Sequence, residues 1–240
     1  IFGSGAPHTL TMENLTIQNG VANDGSGGGG INIFGSGSLV LRDVILQDNR
    51  ADEDSQFPGF TSSGGAIQAG VNVTIENSIL RRNIASGNGG GIDFSTTDQP
   101  QTLTIRNSTI ENNDTGDSDT DFGLGGGVNV RGFNSSLILD TVDVANNAAG
   151  DSGGGVYFEG SSVTVTDSSF TSNQALGSDS GGGGLYLFGD ALSNFSFGIS
   201  GGRFESNSAV AGAGGLEAVD YSGTIDGTTF LQNQVLGQGD

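Results

Sequence analysis

The chain contains no cysteine, no tryptophan, no lysine, three prolines and a single histidine in 240 residues. Without cysteine there can be no disulfide and no thiolate metal site, and the redox setting is not written in the sequence. Without lysine one common general base is missing. The lone His8 stands in an irregular first repeat, where a surface role is expected of it. Three prolines exclude collagen and proline-rich linkers as the reason for 45 glycines. No apolar run approaches the ~20 residues that span a bilayer. Seven basic residues, all arginine, face 27 acids, for a formal net charge of -20, which excludes nucleic acid as a partner. The chain begins at Ile1, as expected of a processed or excised segment.

What the chain does have is a repeat. LTIRNSTIENNDT from Leu103 restates VTIENSILRRNIA from Val73, LVLRDVILQDNRA from Leu39 and VTVTDSSFTSNQA from Val163. One apolar position anchors eight copies: Ile17, Leu46, Leu80, Ile110, Val144, Phe170, Phe204 and Phe230. Five residues earlier stand Met12, Leu41, Ile75, Ile105, Leu139, Val165, Ile199 and Ile225, usually with another apolar residue two places before them. Such alternation has the period of a strand. Three residues after the anchor comes asparagine in seven of eight copies: Asn49, Asn83, Asn113, Asn147, Asn173, Asn207 and Asn233, with Gly20 in the first. A glycine run and a second alternating strand follow, as in GGGIDF ending at Phe94 and GGGVYF ending at Phe158.

Short strands separated by corners, at spacings of 26 to 34 residues, predict an all-β, single-domain parallel β-helix of about eight coils over residues 1–240. A β-propeller blade needs about 40 residues and four strands, more than these copies supply. In the stacked arrangement the asparagines form a structural ladder, each amide donating to and accepting from its neighbours. An outward column of Glu13, Arg42, Glu76, Arg106 and Asp140 alternates in sign. Coils ~4.8 Å apart make opposite charges neighbours, which supports the same register.

The FxxN pattern at Phe170, Phe204 and Phe230, with GGAI at Gly64 to Ile67, resembles the repeats of chlamydial polymorphic outer membrane proteins. More loosely it resembles the β-helical passengers of autotransporter adhesins. The resemblance runs from about Leu10 to Val235. It implies a right-handed β-helix displayed outside a cell for adhesion or surface structure.

Candidate chemistry is sparse. Asp117, Asp119 and Asp121 alternate before a glycine, like the start of a loop that wraps a hard cation, and are the candidate structural calcium ligands. Asp52, Glu53 and Asp54 are a weaker set. The insertions at 52–63 and 95–101 are candidate contact loops. Asp93, Tyr157 and Tyr186 share an outward column with Asn32, Gln68, Asn129 and Glu217, a strip that could meet a glycan. The Thr column on the other strand raises ice binding, but its neighbouring file is charged. Sequons occur at Asn14, Asn72, Asn107, Asn113, Asn134 and Asn194, with Asn107 and Asn113 expected at corner or inward places. No nucleophile elbow, phosphate loop or zinc motif is present.

The expectation is therefore a non-enzymatic extracellular or cell-surface β-solenoid, structural or adhesive, with end-to-end self-association and a glycan or protein ligand as partners. Open strand edges at the ends of such a stack invite another chain. The alternative is a carbohydrate-active or glycan-binding β-helix of the polysaccharide lyase kind.

Overall fold

The structure is a computed structural model that describes residues 8–25, 27–53, 61–96, 99–116, 123–178, 181–190 and 194–237. All of its described regular elements are strands, and every pairing between them is parallel. A broad sheet of 14 strands forms one wall and a narrow sheet of seven forms a second. Two-residue strands in sheets of three and four make the third, joined through bridges at Asp114. The broad sheet has eight rungs along its main path, so seven turns are complete between the two larger walls.

One coil shows how local sequence drives the path. Ile67–Ala69 lies in the narrow sheet, Asn72–Glu76 and Ile79–Arg81 in the broad sheet, and Ile84–Ala85 in the corner sheet. The bend inside the broad sheet needs positive φ, met by Asn77 at 50°, Asn107 at 47° and Asp167 at 46°, but also by Thr141 at 57°. A second bend, one residue before each ladder asparagine, uses Asp48, Arg82, Asn112, Asn146 and Ser172 in the same conformation. Asn and Asp tolerate this region because their short polar side chains bond locally, whereas a β-branched Thr is strained there.

The glycine pairs have two distinct reasons. Gly89 turns the chain at φ 65°, and a Cβ on Gly90 would lie 2.5 Å from the backbone of Asp114 and the carbonyl of Gly126. The first is conformational, the second steric.

The eight anchor residues align as Cα partners from Ile17 to Phe230. Inward side chains of the broad and narrow sheets form one continuous apolar cluster, including Leu41, Ile75, Ile105, Phe94 and Phe158. The column ends in stacked rings, Phe170 on Phe204 at 4.5 Å and Phe204 on Phe230 at 4.9 Å. At the tight corner the inward residue is small: Ala51, Ala85, Ala149, Ala175 and Ala209 are all buried.

The corner asparagines are joined in a ladder. From Asn49 to Asn207 each backbone N–H donates to the Oδ1 of the asparagine one coil on, at 3.0–3.1 Å. Each Nδ2 donates to that same oxygen at 2.9–3.0 Å. Its second hydrogen goes back to a carbonyl of the coil before, such as Leu46 or Leu80. Gly20 opens the ladder by donating its N–H to Asn49 Oδ1. A second, shorter ladder was not anticipated. Ser78, Ser108 and Ser168 sit just after the first bend, where their hydroxyls accept the N–H of Val44, Ser78 and Val142. Each donates in turn to a carbonyl two residues back.

Candidate functional site

The broad sheet presents its charged column in the expected register. Arg42 reaches Glu13 at 2.9 Å and Glu76 at 3.0 Å, and Arg106 lies 3.9 Å from Glu76 and 3.8 Å from Asp140. The two carboxylates hold the Arg42 guanidinium above its ordinary pKa, Glu13 foremost. Arg82 holds the Asp48 carboxyl below its usual range through a two-pronged bond. Arg81 donates to Gln47, Arg50 pairs with Asp52, Arg131 with Glu159 and Arg203 with Glu205. Thus all seven arginines are committed within the structure.

The narrow sheet carries the more unusual face. Strands Ile92–Ser95, Val128–Arg131, Val156–Glu159 and Leu185–Phe188 are paired in register. Side chains alternate across a strand. With Ile92 and Phe94 in the core, Asp93 therefore takes the outer side, in one column with Gln68, Asn129, Tyr157 and Tyr186.

Although it takes the outer side, this column is closed to solvent at its centre. Asp93 is 2% exposed, Asn129 0% and Tyr157 5%, while Tyr186 is only part-buried. The reason lies in what surrounds each group. Asp93 accepts from Asn129 Nδ2 at 2.6 Å, from Ser95 Oγ at 3.1 and 3.2 Å, and from Gln68 Nε2 at 3.4 Å. Tyr157 stands in register between Asn129 and Tyr186, with the Tyr186 ring edge-on at 5.6 Å.

Burial pushes the Asp93 carboxyl up, against its bonds to Asn129, Ser95 and Gln68 and the more distant charge of Arg131. Desolvation also pushes the Tyr157 phenol above its ordinary range. Tyr221 is pushed up to about 12, chiefly by burial. Its hydroxyl donates to Gly160 O at 2.6 Å and clamps coils 61 residues apart in sequence.

Beside Asp93 lies an open hollow of about 330 Å³ lined by Ser95, Thr96, Arg131, Gly132, Phe133 and Glu159. Phe133 is 57% exposed and stacks on Phe195 at 6.2 Å. A hydroxyl, an ion pair and an aromatic face around one hollow are groups able to meet a polyhydroxylated ligand.

Asp117, Asp119 and Asp121 lie outside the described residues, as does Asp54. Among the described residues no three His, Cys, Asp or Glu side chains come together as a metal site. No helix among them is long and apolar enough to cross a membrane. Of the sequons, Asn113 is buried in the ladder, while Asn14, Asn72, Asn107, Asn134 and Asn194 are exposed. Asn107 occupies an exposed left-handed corner.

No curated protein and no solved structure matches the chain. A family model described as right handed beta helix region matches residues 53–235, well over half of the chain. With its parallel walls and continuous inner columns, the chain belongs to the right-handed β-helix family.

Proposed function

We propose that the protein is a non-enzymatic structural or adhesive rod acting outside the cell, with any recognition carried by its narrow-sheet face. The observation that carries this reading is the use of its arginines. Each of the seven is engaged by an acidic or amide neighbour, most of them on the adjacent coil. Catalysis on an acidic polysaccharide needs cationic groups free to stabilise developing charge. Here those groups brace the rod. The likeness of the FxxN and GGAI repeats to surface-displayed polymorphic outer membrane proteins supports the extracellular placement.

The last described rung leaves Phe230, Leu231, Val235 and Leu236 exposed, an apolar surface that a further coil would cover. A second copy stacked head to tail would set Ile17 over Phe230 and Gly20 over Asn233. Gly20 has no side-chain oxygen to accept the Asn233 amide. A contact between these two rungs would therefore lack the ladder link.

The second reading, a glycan-binding or carbohydrate-active β-helix, is favoured by the hollow beside Phe133 and the Arg131–Glu159 pair. Negative-stain electron microscopy over a range of concentrations, alongside incubation with neutral and acidic polysaccharides, tests both. The rod reading expects single rods that lengthen at high concentration, with no new reducing ends and no unsaturated products. Either product appearing at a rate abolished by Arg131→Met or Glu159→Gln would overturn it in favour of the enzyme.

A further inference from the structure

The hollow beside Asp93 stands out for what its arginine leaves open. Arg131 is bonded through Nε alone, to Glu159 Oε2 at 3.1 Å. Arg81 and Arg82 each spend Nε and an Nη on one partner, and Arg42 spends them on two. Among the described residues no acceptor meets the Nη groups of Arg131, and no donor meets the second oxygen of Glu159. Both side chains line the hollow. Ser95 is fixed in the opposite sense. Its hydrogen goes to the buried Asp93 carboxylate at 3.1 and 3.2 Å, so toward the hollow its oxygen can only accept.

One wall of the hollow is an aromatic ring with a foundation. Phe133 stacks on Phe195 at 6.2 Å, and Phe195 packs on Tyr221 at 5.3 Å, so the exposed ring is anchored to the body of the rod. The column that carries Ser95, Arg131 and Glu159 is flanked by two more exposed rings. Phe34 lies over Gly70, where a Cβ would come within 2.6 Å of its Cδ1. Phe188 follows Leu187 as Glu159 follows Phe158, its register partner. From Gly70 to Phe188 the column climbs four coils, about 19 Å at the spacing of paired strands.

We infer that this column is a binding track for a neutral linear polysaccharide laid along the rod axis, with one sugar ring seated in the Arg131 hollow. The inference rests on the reading that recognition is carried by the narrow-sheet face. A sugar hydroxyl both donates and accepts, so two neighbouring hydroxyls take hydrogens from the Arg131 Nη groups and give their own to Glu159 and Ser95. Phe133 meets the C–H face of the ring. A carboxylate only accepts, and it would confront Glu159, the accepting oxygen of Ser95 and Asp93 behind it. The net charge of -20 adds to that repulsion. At about 330 Å³ the hollow is small for a ligand site and suits one ring. Phe34 and Phe188 then serve the neighbouring sugars of the chain.

Isothermal titration calorimetry with the disaccharides and hexasaccharides of cellulose, mannan and xylan, set against the hexasaccharide of polygalacturonate, tests the track. At least one neutral hexasaccharide should bind uncleaved, and more tightly than its disaccharide. Arg131→Met and Phe133→Ala should each weaken it about tenfold. Phe133→Tyr keeps the ring and should keep the affinity, which separates a lost contact from a lost fold. Phe34→Ala and Phe188→Ala should weaken the hexasaccharide about threefold and leave the disaccharide unchanged. Tighter binding of the galacturonate, lost in Arg131→Met, would overturn the neutral ligand and keep the narrow-sheet face. Neutral binding that survives both Arg131→Met and Phe133→Ala would overturn the face itself. No binding of any neutral hexasaccharide would overturn the track and leave the rod standing.

Discussion

Two polar columns run along this rod, one inside the asparagine corner and one on the outer side of the narrow sheet. The inner column repeats one amide, and every link is made: Oδ1 accepts two hydrogens and Nδ2 donates two. The outer column places a carboxylate between two amides, and both amide oxygens are left without a partner. An amide is donor and acceptor at once, so a stack of them has a direction that any number of coils can share. A carboxylate is acceptor only, and it reverses that direction where it stands. Repetition is therefore sufficient for structure, and the one carboxylate that breaks it leaves its amide neighbours half satisfied.

The largest expected effect comes from cutting the inner column. Asn113→Ala removes the acceptor of Asn83 N and Nδ2 and the donor to Leu80 O and Asn147 Oδ1. At ~1–3 kcal/mol for each buried group left unsatisfied, a loss of about 3–5 kcal/mol is expected in urea unfolding. A carboxylate placed in the inner column sharpens the comparison. Asn147→Asp still accepts from Asn113 but no longer donates to Ile110 O or Asn173 Oδ1. It should be destabilising at neutral pH and partly recover on acidification, as circular dichroism melts would show.

The converse change, Asp93→Asn, should stabilise by about 1–3 kcal/mol, the cost of an orphaned buried acceptor. The sign follows from burial. The folded pKa of Asp93 is raised above its unfolded value, so the favourable contribution is complete below the unfolded value. It is lost as pH climbs through the folded value, and the advantage of the variant should shrink as pH falls. A smaller gain, about 1 kcal/mol, is expected of Thr141→Asn, which relieves a β-branched residue at φ 57° in a column where Asn77 and Asn107 already serve. Smallest of all, Arg42→Met should leave Tm unchanged at physiological salt. Exposed ion pairs set register more than stability.

The fold was legible because the apolar alternation, the glycine pairs and the Asn column recur from coil to coil, so each copy tests the others. Ile17 to Phe230 pair as the alignment requires, and the sign alternation at Arg42 and Arg106 becomes contact. The serine ladder at Ser78, Ser108 and Ser168 was also in the sequence, one place after the Asn or Asp of the first bend. It went unread because Ser is common in loops and on solvent faces alike.

The state of Asp93 was not legible. Alternation says which side of a strand a residue takes, but nothing about how its neighbours close over it. Gln68, Ser95 and Asn129 lie 25, two and 36 residues away, and only the assembled register makes them one group.

The most direct test of the contrast is thermal melting of the wild type, Asp93→Asn and Asn147→Asp across pH. The account predicts a wild-type Tm that falls as pH rises, a flatter and higher curve for Asp93→Asn, and a steeper fall for Asn147→Asp. Three parallel curves would contradict it, because the position of a carboxylate in the two columns would then make no difference.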